Sequence, residues 1–352
     1  IGIPPSYVIY LKPSFSGPPQ LDPRKGVVSC DPYLRGLPSS QIRWLQNRPV
    51  LITTLLGVRR ALSVLSNKRI YFMIDEFSQV SKADFFACVE QVKENSPYQY
   101  SLLGDPYQLP IVTSQTHLRP NIFEWLEPRG AKPIQLVTQY RMHDDICSAI
   151  NKMREVFRSY PLKSADSVKE RTLTSSTIGY KWKPPQDPWM KKVLDPDSPL
   201  VLIDTSPLGY EEIQGSSIVF RREAKLAARI AEAAVKSYDK DGVPLHPKIL
   251  TPYNGQKSEI AELFSPEDVM TIYKAQGAEY PFVIISFVRS NPSRFVGFLH
   301  ESMLHQQAYV GCSRAQAKLI VLMSFDTFVE GMHGMFVALH NTPRAVEVEA
   351  RL

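Results

Sequence analysis

The feature that most constrains the fold is a series of short apolar runs, each too brief for a helix and each stopping at polar or glycine residues. "YFMI" (71–74) ends on Asp75 and Glu76, and "YSLL" (100–103) ends on Gly104-Asp105-Pro106. Such runs read as strands buried on both faces, the pattern of a parallel sheet. Between Arg48 and Val112 the order is strand (50–53), helix, strand (71–74), helix, strand (100–103). That alternation indicates an α/β fold. A second series follows. A strand at 200–203 precedes a helix near 222–238, in which Ala227, Ile230, Ala231, Ala234 and Val235 share one face. Then come a strand at 248–250, a helix at 255–263, and strands at 282–288 and 318–323.

With 352 residues the chain has room for two domains. Nine of the first 49 residues are Pro, so 1–47 reads as an irregular segment, a remnant or insertion of the first domain. The first sheet domain is expected over 48–138 and the second over 139–352, with an irregular insertion at 161–199 containing "KWKPPQDPWMKK". An apolar content of 43% with 22% charged residues describes a globular chain with a real core. No apolar stretch reaches the roughly 18–20 residues of a membrane helix, so no membrane partner is expected. Cys30, Cys88, Cys147 and Cys312 lie far apart with no CxxC pair. Their spacing speaks against a zinc site or disulfide framework and for a reducing, intracellular compartment, cytoplasmic or nuclear. The net charge of +6 permits a polyanionic partner without requiring one.

Ligands of doubly wound sheets sit at the carboxyl ends of the strands. A hydrophobic strand ending in Asp75-Glu76 aims two carboxylates there, and like charges in an apolar setting need a cation. The simplest is Mg²⁺ carrying nucleotide phosphates, with Asp75 on the metal and Glu76 orienting the attacking water. Strands also end in ordinary acidic turns. The tight Gly104-Asp105-Pro106 turn adds a further carboxylate and the Gln108 amide at the same sheet edge.

Together these stretches resemble superfamily 1 helicases, most closely the RNA/DNA helicase branch typified by the nonsense-mediated-decay helicase. The similarity continues in order: "LITT" (51–54), "DEFSQ" (75–79, Walker B), "GDPYQLP" (104–110), "QYRMH" (139–143), "LTPYNGQ" (250–256), "YKAQGAEY" (273–280) and "YVGCSRAQ" (309–316). The resemblance implies two RecA-like parallel-sheet domains with the nucleotide cleft between them. It implies catalytic roles for Asp75, Glu76, Gln108, Arg141 and Arg314, and nucleotide contacts from Tyr140, Gly277 and Glu279. An Arg fork suits phosphate oxygens and stabilises transferring charge. Thr53, Thr54, Thr251, Tyr253, Gln256, Thr271 and Tyr273 match positions that the family uses on single-stranded RNA or DNA. Hydroxyl and amide donors serve the backbone there, and a ring such as Tyr253 can stack on a base. A monomer that moves 5′-to-3′ is implied by the branch alone.

Three departures accompany the match. Pro281 stands where the family commonly has Asp, and Gln316 where a second Arg is frequent, which is expected to weaken contacts between domains. The phosphate loop GxxxxGK[ST] has no counterpart: the sequence holds no Gly-Lys pair, and "SGPP" (16–19) matches only its first residues. The motif order places that loop well upstream of Leu51, where the chain is short. A fragment lacking part of the first domain, rather than loss of the loop, is therefore the expectation. A non-hydrolysing nucleic-acid-binding or scaffolding relative is the alternative.

Overall fold

The computed structural model describes residues 8–13, 20–22, 27–30, 50–52, 54, 55, 58, 70–93, 98–109, 122–297 and 302–352. The chain divides into two compact units, 1–106 with 110–131, and 107–109 with 132–352. The change of unit after 131 precedes the expected boundary at 138.

In the first unit, β1 (Val8–Pro13), β2 (Gln20–Asp22), β3 (Val27–Cys30) and β4 (Val50–Ile52) form a sheet in the order β2-β3-β1-β4. β1 runs parallel to β3 and β4, while β2 is antiparallel to β3. Strand therefore occurs where 1–47 read as irregular. These strands are three to six residues long between prolines, too short to show a period. β5 (Ile70–Ile74) pairs in parallel with β6 (Tyr98–Leu102), from Ile70↔Tyr98 to Ile74↔Leu102. β5 is not buried on both faces, because Tyr71 and Met73 are exposed while Phe72 and Ile74 are half-buried. A run that is apolar on both faces does not itself reveal which face is covered. Inside the unit, Phe77, Phe85 and Ile122 form one core cluster, and Val58 packs with Cys88 in another.

The second unit is built on six parallel strands. After the short pair β7 (Thr138–Gln139) and β8 (Lys163–Ser164) come β9 (Leu200–Asp204) and the hairpin β10 (Glu212–Gln214) with β11 (Ser217–Val219). β12 (Lys248–Thr251), β13 (Val269–Thr271), β14 (Tyr280–Ser286), β15 (Ala315–Met323) and β16 (Val346–Glu349) complete the set. The sheet order is β13-β12-β14-β15-β9-β16, parallel throughout. Val201, Leu202, Ile284, Ile285, Ile320 and Val321 have no exposed surface. Each such side chain contributes about 1.5–3 kcal/mol on leaving water. Continuous apolar strands covered on both faces are what parallel connections produce.

The helix Arg221–Ala234 buries Ala227, Ile230, Ala231 and Ala234 and touches β14 and the helix Asn254–Leu263. The expected insertion at 161–199 contains β8 and the helix Pro188–Leu194, capped by Asp187, whose carboxylate accepts the Trp189 N–H. Trp189 and Met190 of "KWKPPQDPWMKK" are core residues. "PIQLV" (133–137) is not a strand, and Ile134 and Leu136 are exposed. Cys88, Cys147 and Cys312 are free and buried, and burial raises each thiol above its ordinary range.

Candidate nucleotide and nucleic-acid sites

At the carboxyl end of β5 the chain turns sharply. Phe77 donates its N–H to the Leu103 carbonyl at 2.8 Å, and Leu103 donates to Ile74 at 2.8 Å. The Phe77 ring packs edge-on against Phe85 and Phe123. Glu76, on the lip of this anchored turn, is left-handed (φ 50°, ψ 40°). That conformation costs an L-residue about 1–2 kcal/mol, the kind of strain held at functional positions. Gly104 is needed for close approach: a Cβ there would lie 3.1 Å from the backbone nitrogens of Phe77 and Ser78. "DEFSQ" and "GDPYQLP" are thus locked together by backbone contact.

Asp75 is exposed and Glu76 half-buried, so the pair is less deeply set than the apolar run suggested. Asp75 Oδ1 accepts the Glu76 N–H at 2.9 Å, and Glu76 Oε2 accepts from the Gln79 amide at 3.3 Å. Among the described residues neither carboxylate has a cationic partner. This donor set fits Mg²⁺, which is held by one or two carboxylates together with phosphates and waters.

A second cluster lies in the larger unit, at the amino ends of β14 and β15. The Gln139 side chain shapes its turn: Oε1 accepts the N–H groups of Arg141 (2.8 Å) and Met142 (2.9 Å), and Nε2 donates to Met142 O and Ser164 Oγ. His143 then caps the helix Asp144–Val156 by accepting the Asp145 N–H, and burial lowers its pKa. Arg141, one-third exposed, donates from Nε to Glu279 at 2.8 Å and from Nη1 to the Ser313 carbonyl at 3.1 Å. The Arg141 hydrogen bond holds the Glu279 carboxyl below its usual range, and the Gln316 amide donates to its other oxygen at 2.9 Å. Gln316 thus gives this carboxylate a neutral partner. Gly277 adopts φ +77° in the turn before β14, and Tyr140 is exposed. Gln276, which sequence reasoning missed, donates to Gln108 Oε1 and Leu109 O, both at 3.5 Å. Leu109 is buried in the core of this unit, and Tyr107 stacks on Phe157.

Arg314, for which the resemblance implies a catalytic role, is held inside the second unit. It is 2% exposed, and its guanidinium donates to Val310 O (2.9 Å), Ala278 O (3.1 Å) and Ser313 Oγ (2.7 Å). The Gly277–Glu279 turn and the end of the helix Ser302–Cys312 share it. In this conformation Arg314 fixes the turn that carries Glu279.

Most of the expected nucleic-acid residues fall at the opposite, carboxyl edge of the same sheet. Thr251 ends β12 and is buried, while Thr271 ends β13 and, with Tyr273, is half-buried. Gln256 is buried: Oε1 accepts the Phe220 N–H at 2.8 Å, and Nε2 donates to Phe220 O and Ser286 Oγ. Tyr253 is 5% exposed, inside the core, its hydroxyl pushed up to about 12 by burial. Neither a stacking Tyr253 nor a donating Gln256 matches this placement, since residues distant in sequence cover both. Thr54 is exposed in the first unit, and Thr53 lies outside the described residues.

Behind this edge runs a polar network that the sequence did not signal. Glu223, fully buried, accepts from Thr205 Oγ1 (2.8 Å), Ser286 Oγ (2.6 Å) and the Val288 N–H (2.9 Å). Desolvation outweighs those three donors and raises its carboxyl to about 7. Val288 is left-handed at φ 73°, an outlier for a β-branched residue. Glu223 is what secures it.

Paired carboxylates that close a parallel strand in the first unit, and an arginine–glutamate turn at the edge of the parallel sheet in the second, define an α/β protein built on parallel sheets. The AAA domain family AAA_12 matches residues 118–325, and the chain belongs to it, in the branch of superfamily 1 helicases that includes UPF1- and DNA2-like proteins. The chain is 25% identical over 302 residues to the Mus musculus DNA replication ATP-dependent helicase/nuclease DNA2, covering 80% of this chain and 27% of that protein. It is 29% identical to the Arabidopsis thaliana regulator of nonsense transcripts 1 homolog (79% and 21%) and 28% identical to the Schizosaccharomyces pombe ATP-dependent helicase upf1 (80% and 29%). It thus spans about a quarter of the length of these relatives. Among solved structures, the PRRSV helicase aligns at a TM-score of 0.40 and 15% identity, covering 94% of this chain and 50% of that one. The complex of Arterivirus nonstructural protein 10 (helicase) with DNA aligns at 0.44 and 12%, covering 92% and 50%.

Proposed function

We propose that this chain is motor sequence of an ATP-dependent helicase or translocase that moves 5′-to-3′ on single-stranded RNA or DNA, as a monomer, in a reducing intracellular compartment. Membership of a family of ATP-dependent helicases supports the class. The observation that carries the reading is the Asp75–Glu76 pair, cation-free among the described residues, on a strained and anchored turn at the end of a parallel strand. Asp75 would hold Mg²⁺, which when bound screens the charge of the ATP phosphates. Glu76 orients the attacking water and takes its proton. Arg141, steered by Glu279 and Ser313, offers the rest of its fork to phosphate oxygens, with Gln108 close by. Arg314 holds that turn in place, and Tyr140 and Gly277 border the base and phosphates. Thr54, Thr271 and Tyr273 retain roles on the strand, and Thr251 supports their edge.

The non-hydrolysing alternative rests on the absence of a Gly-Lys pair in the 352 residues, because phosphates need a cradle of amides and a Lys. ATPase assays with and without single strand separate the two readings. Strand-stimulated turnover that falls by about two or more orders of magnitude in Glu76→Gln, with strand binding intact, supports the motor. Unchanged turnover in Glu76→Gln removes the carboxylate pair as the site. Strand binding without turnover assigns this polypeptide to the alternative.

A further inference from the structure

Tyr253 lies beneath the segment that follows β14. The Gly297 Cβ direction points to within 3.8 Å of both the Tyr253 hydroxyl and the Arg289 guanidinium. On that segment Phe295 is 61% exposed, although its backbone is fastened at every polar atom. Its N–H donates to Asn291 Oδ1 at 2.9 Å. Its carbonyl accepts from Asn291 Nδ2 (2.8 Å) and from Arg289 Nε (3.1 Å) and Nη2 (2.6 Å). Arg289 also lies under the ring, 5.4 Å from its centroid.

The clamp is rooted in the interior. Arg289 pairs with Glu211 at 3.2 Å, both side chains almost fully buried, and Glu211 also accepts from Asn291 Nδ2 at 2.9 Å. Burying an ion pair is costly, and a loop that only links two elements does not require one. The outer face of the exposed phenyl ring makes no use of this order in the isolated protein. Ordering it in advance removes the entropy cost of ordering it on binding. Tyr210, next to Glu211, is also exposed, but the hydrogen bonds converge on the backbone of Phe295.

We propose that Phe295 is a stacking platform for an unpaired nucleobase, the role the sequence pattern assigned to Tyr253. This rests on the helicase reading above, because it places the base at the carboxyl edge of the second sheet, over the turn that holds Tyr253. A ring accepts any base face, so the contact adds affinity without sequence preference.

The test uses fluorescence anisotropy of the chain with labelled oligo-dT and oligo-U, and with an abasic strand of equal length. Phe295→Ala is expected to weaken binding to both base-bearing strands by roughly 5- to 150-fold. Phe295→Trp should restore it, and wild type and Phe295→Ala should bind the abasic strand alike. Unfolding midpoints establish that the exposed substitution leaves the fold intact. If Phe295→Ala lowers the midpoint, Phe295→Leu, which keeps bulk without a π face, replaces it against Phe295→Trp. Firm binding by wild type with equal affinity in the Ala or Leu variant overturns the platform alone. Failure of wild type to bind any single strand overturns the helicase reading as well.

Discussion

Replacing Glu223 with Gln tests whether burial or hydrogen bonding controls that carboxyl. The Gln oxygen can accept from Ser286 and Val288 as Glu223 Oε1 does. Its amide N–H₂ can donate to Thr205 Oγ1, whose hydroxyl rotates to suit. The substitution therefore keeps the network and removes the proton. The native carboxyl sits at about 7 against an ordinary 4.5, so the native state holds a proton that the unfolded chain has released. Wild-type stability from this group is fully present below pH 4.5 and is lost as pH rises through about 7. At about 1.4 kcal/mol per pH unit the full loss is on the order of 3 kcal/mol, most of it between about pH 5 and 8.5. Urea unfolding of both proteins across that range should show Glu223→Gln gaining this amount on wild type. Parallel stability profiles, or a wild type that gains on the variant as pH rises, would mean that the three donors prevail and the carboxylate is ionised in the core.

Gln256→Ala strands the polar groups of Phe220 and Ser286, so it should cost roughly 2–4 kcal/mol in urea unfolding. Single-strand affinity of the folded protein should change little; lost binding at unchanged stability would return Gln256 to the nucleic-acid surface. Lys318, fully buried, donates to Asp195 O and Ser198 O, and burial lowers its pKa to about 7. The native state therefore binds fewer protons than the unfolded chain above pH 7, and stability rises with pH. Relative to Lys318→Met, wild type should gain about 2 kcal/mol between pH 7 and 9; a constant difference would refute the buried neutral amine.

The strands of the second unit were readable because β9, β12, β14 and β15 are covered on both faces, so their sequences are unbroken apolar runs. The helix Arg221–Ala234 was readable from its single alanine–isoleucine stripe. Proline spacing hid β1–β3, whose pairings lie between segments with no period of their own. The turns that carry the carboxylate pair and Arg141 were legible as motifs, since Phe77 and Gln139, which help set them, lie within two residues, although Gly104 reaches the first from the end of β6. Tyr253 and Gln256 were not. What covers them is Arg289, Gly297, Phe220 and Ser286, some 30–45 residues away in sequence, and no local pattern says which way a turn residue faces. Arg314 went the same way, drawn inward by the carbonyls of Val310 and Ala278.

The buried free thiols carry one more consequence. Cys88 belongs to the first unit, and Cys147 and Cys312 to the second. Modification requires the thiolate and access, and burial withholds both. A thiol reagent in excess therefore acts as a stopwatch: each cysteine is marked at the rate at which its own surroundings open. Mass spectrometry of the marked peptides then yields two separate clocks from one unaltered chain, Cys88 timing one unit and Cys312 the other. Adding nucleotide or single strand and noting which clock slows would locate the ligand's hold without any mutation.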